Sequence, residues 1–154
     1  MAIEQSTSFL DVKAIGEQNE PVSLRNHLGS YIALFFYPKD QTPGCTTQAC
    51  AFRDLNGELL AENIAVIGVS ADSQASHEKF KEKHQLPFPL WTDESGALRN
   101  AFEVGSSFGF SARCTFLIDP EGKIIQEWKP AKPETNASEV LIAVEVDKKR
   151  RNPQ

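Results

Sequence analysis

The sequence predicts an α/β fold: a mixed central sheet flanked by helices on both faces, with an N-terminal β-hairpin. Two uniformly apolar runs, Tyr31–Phe36 and Ile64–Val69, are the first observation. Each is short for a helix and lacks alternation, which is how a strand reads when both of its faces are covered. Amphipathic stretches after each run are the second observation, since alternating strand and helix signals point to parallel pairing with crossover helices. The third is a pair of late strand-like runs, Cys114–Asp119 and Lys123–Trp128, separated by Pro120-Glu-Gly122. In that turn proline presets one dihedral and glycine accepts a positive one, so the two runs form an antiparallel hairpin.

Taken in order, Phe9–Val12 and Pro21–Leu24 read as short strands around the turn-prone Gly16–Glu20. After Tyr31–Phe36, a helix is expected from Pro43 or Thr46 to Ala61, with Ala49, Phe52, Leu55 and Leu59 spaced along one buried face. Ser73–His84 reads as an amphipathic helix with Ser73 as its N-cap and Lys79, Lys81 and Lys83 toward solvent. Leu86-Pro-Phe-Pro breaks it. Asp93–Phe102 resembles another short helix, and Glu134–Val146 a closing one. This is a thioredoxin-like order of elements, with additions at the N-terminus and in the middle.

The 154 residues suit one domain, 1–154, with an ordered core of about 9–146 and a solvated basic tail at 148–154. A net charge of −5 argues against nucleic acid as the main partner. No stretch approaches the roughly 18 apolar residues of a membrane span, and Met1–Thr7 has no apolar signal region, so the expected compartment is cytoplasmic. Three cysteines are too few for a disulfide-stapled scaffold. In a reducing compartment they are catalytic or incidental thiols.

Cys45 closes the stretch Pro38-Lys-Asp-Gln-Thr42-Pro43-Gly44-Cys45, directly after the first strand, and Cys50 follows five positions later. Strand, tight turn and helix start place a thiol where free N–H groups and the positive end of the dipole favour an anion. A plain packing role fits Cys50 better than Cys45, which lies outside any apolar pattern. A zinc site lacks a second ligand pair, because the three histidines show no partner spacing. Redox chemistry is the remaining reading. The spacing is not Cys-x-x-Cys, and on an intact helix Cα atoms five apart lie roughly 8.6 Å from each other with side chains about 140° apart. A disulfide tolerates about 7 Å at most, so joining these sulfurs requires the helix start to unwind.

Pro38-x-x-x-Thr42-x-x-Cys45 is similar to the active-site motif of peroxiredoxins. Thr42 to Cys50, Thr-Pro-Gly-Cys-Thr-x-x-Ala-Cys, resembles the bacterioferritin-comigratory-protein (PrxQ) subfamily. Arg113-Cys-Thr-Phe-Leu-Ile-Asp119 resembles the strand that carries that family's active-site arginine. The likeness extends from Phe9 to about Val146. It implies a thiol-dependent peroxidase of antioxidant defence, acting on hydrogen peroxide and organic hydroperoxides without cofactor or metal. Cys45 would be the peroxidatic thiolate, Arg113 would hold the sulfur ionised, and Thr42 would hydrogen-bond the reacting oxygen or thiolate. Pro38 would shield the sulfur from water. Cys50 would resolve the sulfenic acid as an intramolecular Cys45–Cys50 disulfide, reduced by thioredoxin or a similar dithiol. An internal resolving thiol implies a monomer.

Two features depart from that pattern. Cys114 stands beside Arg113 in a strand, so its side chain faces the opposite way and reads as packing, with a second resolving role as the alternative. The segment between Phe102 and Arg113 is shorter than in many relatives, leaving Phe108 and Phe110 as apolar cover. No role falls to His27, His77 or His84. The competing functions are a protein thiol–disulfide oxidoreductase, disfavoured by the missing Cys-x-x-Cys, and a non-enzymatic thioredoxin-fold module.

Overall fold

Tyr31–Phe36 becomes an interior strand of a seven-stranded sheet in the computed structural model, which describes residues 8–108 and 110–152. In chain order the strands are β1 (Ala14–Ile15), β2 (Pro21–Val22), β3 (Tyr31–Phe36), β4 (Ile64–Ser70), β5 (Leu90–Thr92), β8 (Cys114–Ile118) and β9 (Ile124–Trp128). A separate small hairpin contains β6 (Ser106–Ser107) and β7 (Phe110–Ser111). The helices are α1 (Pro43–Asp54), α2 (Asn56–Ala61), α3 (Gln74–His84), α4 (Ala97–Ala101) and α5 (Asn136–Arg151). The sheet order is β2-β1-β5-β4-β3-β8-β9. β3 pairs in parallel with β4 and β4 with β5, while β8 lies antiparallel to both β3 and β9.

Strand alternation divides the core into two layers. Ala33, Phe35 and Tyr37 point to one face and pack with Cys45, Ala49 and Phe52 of α1, Phe80 of α3, and Val140 and Val144 of α5. Ile32, Leu34 and Phe36 point to the other, against Phe9, Leu10, Leu98, Phe102 and Phe116. Both faces of β3 are therefore covered, which is why its sequence carries no alternation.

Several boundaries differ from expectation for local reasons. Residues 8–11 form a 3₁₀ turn instead of a strand. Phe9 and Leu10 are both buried in the same layer, which adjacent residues of a strand cannot achieve. The expected hairpin does form, as β1 and β2 across Gly16–Glu20. The helix after β3 breaks at Leu55, just before Asn56-Gly57, two weak helix formers. The Asp93–Phe102 helix shrinks to Ala97–Ala101 because the Asp93 carboxylate accepts from the N–H groups of Leu98 and Arg99, fixing the start of the turn. Strand β5 was not expected, being three residues long and without a readable period.

The largest correction concerns the basic run. Lys148–Arg151 continues α5 instead of opening the expected 148–154 tail, with Lys149–Arg151 exposed on the helix and 153–154 outside the described residues. Cations at a helix C-terminus are favoured by the dipole, and here they also find carboxylates. Arg151 reaches Asp119 and Asp147, each at 2.6 Å, and Lys148 reaches Glu62 at 2.8 Å. In the β8–β9 turn Gly122 has φ +95°, and a Cβ there would lie 2.9 Å from Leu10, so glycine serves twice. Among the described residues no helix is long and apolar enough to cross a membrane.

Candidate active site

The chain leaves β3 through Tyr37 and Pro38, turns, and enters α1 with Thr42 as N-cap and Pro43 as its first residue. Proline is at home there, since its missing N–H would have no helical partner. The Thr42 carbonyl accepts the Thr46 N–H at 2.8 Å, the first bond of the helix. Cys45 is thus the third helical residue, its N–H among those without an intrahelical acceptor. Its side chain is turned to the sheet and completely buried.

Arg113, just before β8, is brought to this sulfur across the sheet. One of its terminal nitrogens, Nη2, lies 3.5 Å from Cys45 Sγ, and Nη1 donates to Gln48 Oε1 at 3.0 Å. Gln48, one turn beyond Cys45, is also fully buried. Its amide donates to Asn136 Oδ1 at 3.2 Å and to Thr115 Oγ1 at 3.4 Å, and the Thr115 hydroxyl donates to Asn136 Oδ1 at 2.6 Å. The guanidinium is therefore aimed by a chain of neutral amides and hydroxyls spanning α1, β8 and α5. A Cβ at Gly44 would stand 2.8 Å from Arg113 Nη2, so glycine here leaves room for the arginine. A positive charge and a helix start converge on one sulfur, an arrangement that stabilises negative charge on it.

The other expected residues are placed as follows. Pro38 is half-buried in the turn before the helix. The Thr42 hydroxyl donates to the Lys39 carbonyl at 2.9 Å and makes no cap bond. Its lone pairs, and not its proton, remain for a ligand. Cys50 is half-buried on the same unbroken helix, and all three cysteines are free thiols. Cys114 packs in the opposite core layer from Cys45, with the sheet between them. Burial is the largest influence on its thiol and pushes its pKa up, favouring the neutral form. Phe108 is 96% exposed and Phe110 45%, so the first gives no cover at the sulfur. Phe110 lies instead under the Lys39 ammonium, 5.8 Å from its ring centre.

Two groups escaped the sequence reading. Gln48 is one, although its position one turn after Cys45 on the same helix face was a usable signal. His77 is the other: far along the chain and on a charged helix, it nonetheless bonds to Asp40 inside the motif. No local pattern announces a contact across that many residues.

A family model, the AhpC/TSA family, matches residues 6–127. The peroxiredoxin Bcp of Bacillus subtilis is 45% identical over 148 residues, 92% of this chain and 94% of its own. The chloroplastic peroxiredoxin Q of Sedum lineare is 41% identical over 110 residues, 70% of this chain and 59% of its own. Among solved structures, the bacterioferritin comigratory protein of Xanthomonas campestris, studied for alkyl peroxide reduction, superposes with a TM-score of 0.85. It is 34% identical, over 92% of this chain and 95% of that one. With this extent of likeness, and the motif cysteine set beside the arginine, the chain belongs to the AhpC/TSA family and is a peroxiredoxin peroxidase of the Bcp/PrxQ kind.

Proposed function

We propose that Cys45 is the peroxidatic residue and Cys50 the resolving one. The observation that carries this reading is Arg113 Nη2 at 3.5 Å from Cys45 Sγ, on a sulfur already at a helix start. The Cys45 thiolate attacks one peroxide oxygen; the O–O bond breaks, and the departing oxygen leaves as water or an alcohol after taking a proton. The sulfur, oxidised by two electrons, becomes sulfenic acid. Arg113 stabilises the charge passing from sulfur to the leaving oxygen. Pro38 screens the sulfur from bulk water. Thr42 holds the incoming peroxide by accepting its O–H, while its own hydroxyl donates to the Lys39 carbonyl.

Cys50 then attacks the sulfenic sulfur, releasing water and forming the disulfide, which a thioredoxin-type dithiol reduces by two electrons. Cys50 suits this role better than Cys114, because the latter lies on the far side of the sheet with its thiol held neutral. Hydrogen peroxide and small organic hydroperoxides are the substrates we assign, and a cytoplasmic monomer is the form in which an internal disulfide needs no partner chain.

Peroxide consumption coupled to thioredoxin separates these roles. Cys45→Ser is expected to be inactive and Cys114→Ser close to wild type. Cys50→Ser is expected to form sulfenic acid once and then stop. Failure of Cys114→Ser with survival of Cys50→Ser would transfer resolution to Cys114.

A further inference from the structure

His77 of α3 is 1% exposed, and both of its ring nitrogens face fixed partners. Nε2 lies 3.0 Å from the Trp91 carbonyl oxygen, and Nδ1 lies 2.7 Å from Oδ2 of Asp40. A carbonyl only accepts, so Nε2 carries a proton. Asp40 is buried as well, and it takes the Tyr37 hydroxyl on Oδ1 at 2.6 Å and the Ser76 hydroxyl on Oδ2 at 2.8 Å. The Tyr37 oxygen is also 3.4 Å from Nδ1, but its proton is committed to the shorter contact with Asp40. A bare Nδ1 would set its lone pair against the carboxylate. One proton therefore lies between Nδ1 and Oδ2 and bonds the two groups away from water, with two hydroxyl donors completing the partners of the Asp40 carboxyl group.

The same residue is tied by its main chain. Asp40 N–H donates to Asp72 Oδ2 at 2.8 Å, and the Ser70 hydroxyl donates to the same oxygen at 2.7 Å. Asp40, Asp72 and His77 bring three potential ligand atoms within 4.8 Å of one another. Protein donors already engage both Asp40 oxygens and Asp72 Oδ2, so the cluster is a hydrogen-bonded knot and not a cation cradle.

The knot sits midway between Pro38 and Thr42. Next to Asp40 in the turn are Lys39, whose carbonyl receives the Thr42 hydroxyl, and Gln41, which adopts φ +63°. We infer that the His77–Asp40 pair latches the turn over Cys45 onto α3, making both positioning residues for the peroxide step. The inference rests on Cys45 being the attacking thiol. It adds that Pro38 and Thr42 are aimed by a buried pair whose histidine lies outside the motif.

Two measurements on the full chain test it. Nitrogen-15 NMR of histidine-labelled wild type should show both His77 nitrogens hydrogen-bonded; a free Nδ1 overturns the latch. Among variants, His77→Leu should slow oxidation of Cys45 by hydrogen peroxide about 10- to 100-fold, while alkylation of Cys45 by iodoacetamide, which needs only the sulfur, changes less than about threefold. Asp40→Asn should recover most of the rate that Asp40→Ala loses, because an amide N–H can donate to a neutral Nδ1. A merely structural role would lower the melting temperature without separating the two rates. A wild-type peroxide rate in His77→Leu, parallel loss of both rates, or no difference between the Asp40 variants overturns the proposal. Cys45→Ser in the same assay keeps the two ideas apart. Turnover there removes the thiol assignment, whereas its inactivity beside a fully active His77→Leu removes only the latch.

Discussion

Replacing Arg113 by methionine keeps most of the side-chain volume and removes the charge beside Cys45. With Nη2 at 3.5 Å from Sγ, a guanidinium and a thiolate attract by about 5 kcal/mol at an effective dielectric near 20. Solvent reaches the half-buried arginine and screens part of this, leaving about 2–4 kcal/mol. The share realised in the transition state corresponds to roughly 30- to 1,000-fold in the second-order rate with hydrogen peroxide. Gln48 Oε1 also loses its charged donor, a loss of about 1–3 kcal/mol in stability and a melting temperature lower by several degrees. Single-turnover oxidation of Cys45, followed by rapid quench and thiol counting, gives the rate; circular dichroism gives the melt. Arg113→Lys should fall between, since one ammonium cannot serve the sulfur and Gln48 together as a planar fork does. A folded Arg113→Met enzyme within about threefold of wild type would remove the electrostatic argument for the site.

The other expectations concern the supports of that geometry. Gln48→Leu keeps the arginine but releases its aim, so the peroxide rate should fall about 10- to 100-fold with the charge still present, read in the same single-turnover assay. Under native alkylation followed by peptide mass mapping, Cys114 should be the last cysteine labelled, because burial holds it as the thiol. Tyr31 donates to Asp147 at 2.6 Å, and burial first, then that bond, push its hydroxyl up to about 12. A raised value means its contribution is complete below the unfolded value near 10 and is lost as pH rises through about 12. Thermal melts should show wild type above Tyr31→Phe at neutral pH, with the gap closing between those limits.

How much of this was legible in the sequence follows from the range of the interactions. Strands β3, β4, β8 and β9 and the Ser73 cap were readable because continuous apolar runs, a Pro-Glu-Gly turn and a serine before an amphipathic stretch are local signals. The Ser73 hydroxyl does accept the Ser76 N–H, at 3.1 Å. Cys45 and Arg113 were readable through the motif, and the strand rule placed Cys114 on the opposite face from Arg113. Strand β5 and the α1–α2 break were not, since three residues show no period and a break at Leu55 competes with an uninterrupted helical pattern. The extension of α5 past Val146 was missed because a basic run at the chain end looks like tail until Asp119 and Glu62 are known to lie beside it. Thr42 shows the limit of motif reading: the motif sets it at the helix start, while the direction of its hydroxyl depends on the Lys39 carbonyl.

The helix that carries Cys45 in its first turn also keeps it from Cys50, and the packing of α1 favours movement of its N-terminal end. Ala49 and Phe52 are fully buried between α1 and the sheet, and Phe52 stacks on Phe35 with ring centres 5.1 Å apart. Exposing that phenylalanine costs about 2–3 kcal/mol from its apolar area alone, before any cavity is counted. The turn from Pro43 to Thr46 buries no aromatic ring. It is held by the first helical bonds, from Thr46 to Thr42 onward, by the Thr47 hydroxyl on the Pro43 carbonyl, and by the Arg113 contact, the last weakened once the sulfur is an uncharged sulfenic acid. Unwinding from the N-terminal end as far as Gln48 therefore carries Cys45 toward a stationary Cys50. The reverse movement would drag Phe52 off the sheet. Hydrogen exchange on the disulfide form should then show lost protection at Thr46–Gln48 with Phe52–Asp54 unchanged. Loss of protection at Phe52 instead would mean that the resolving end of the helix is the part that gives way.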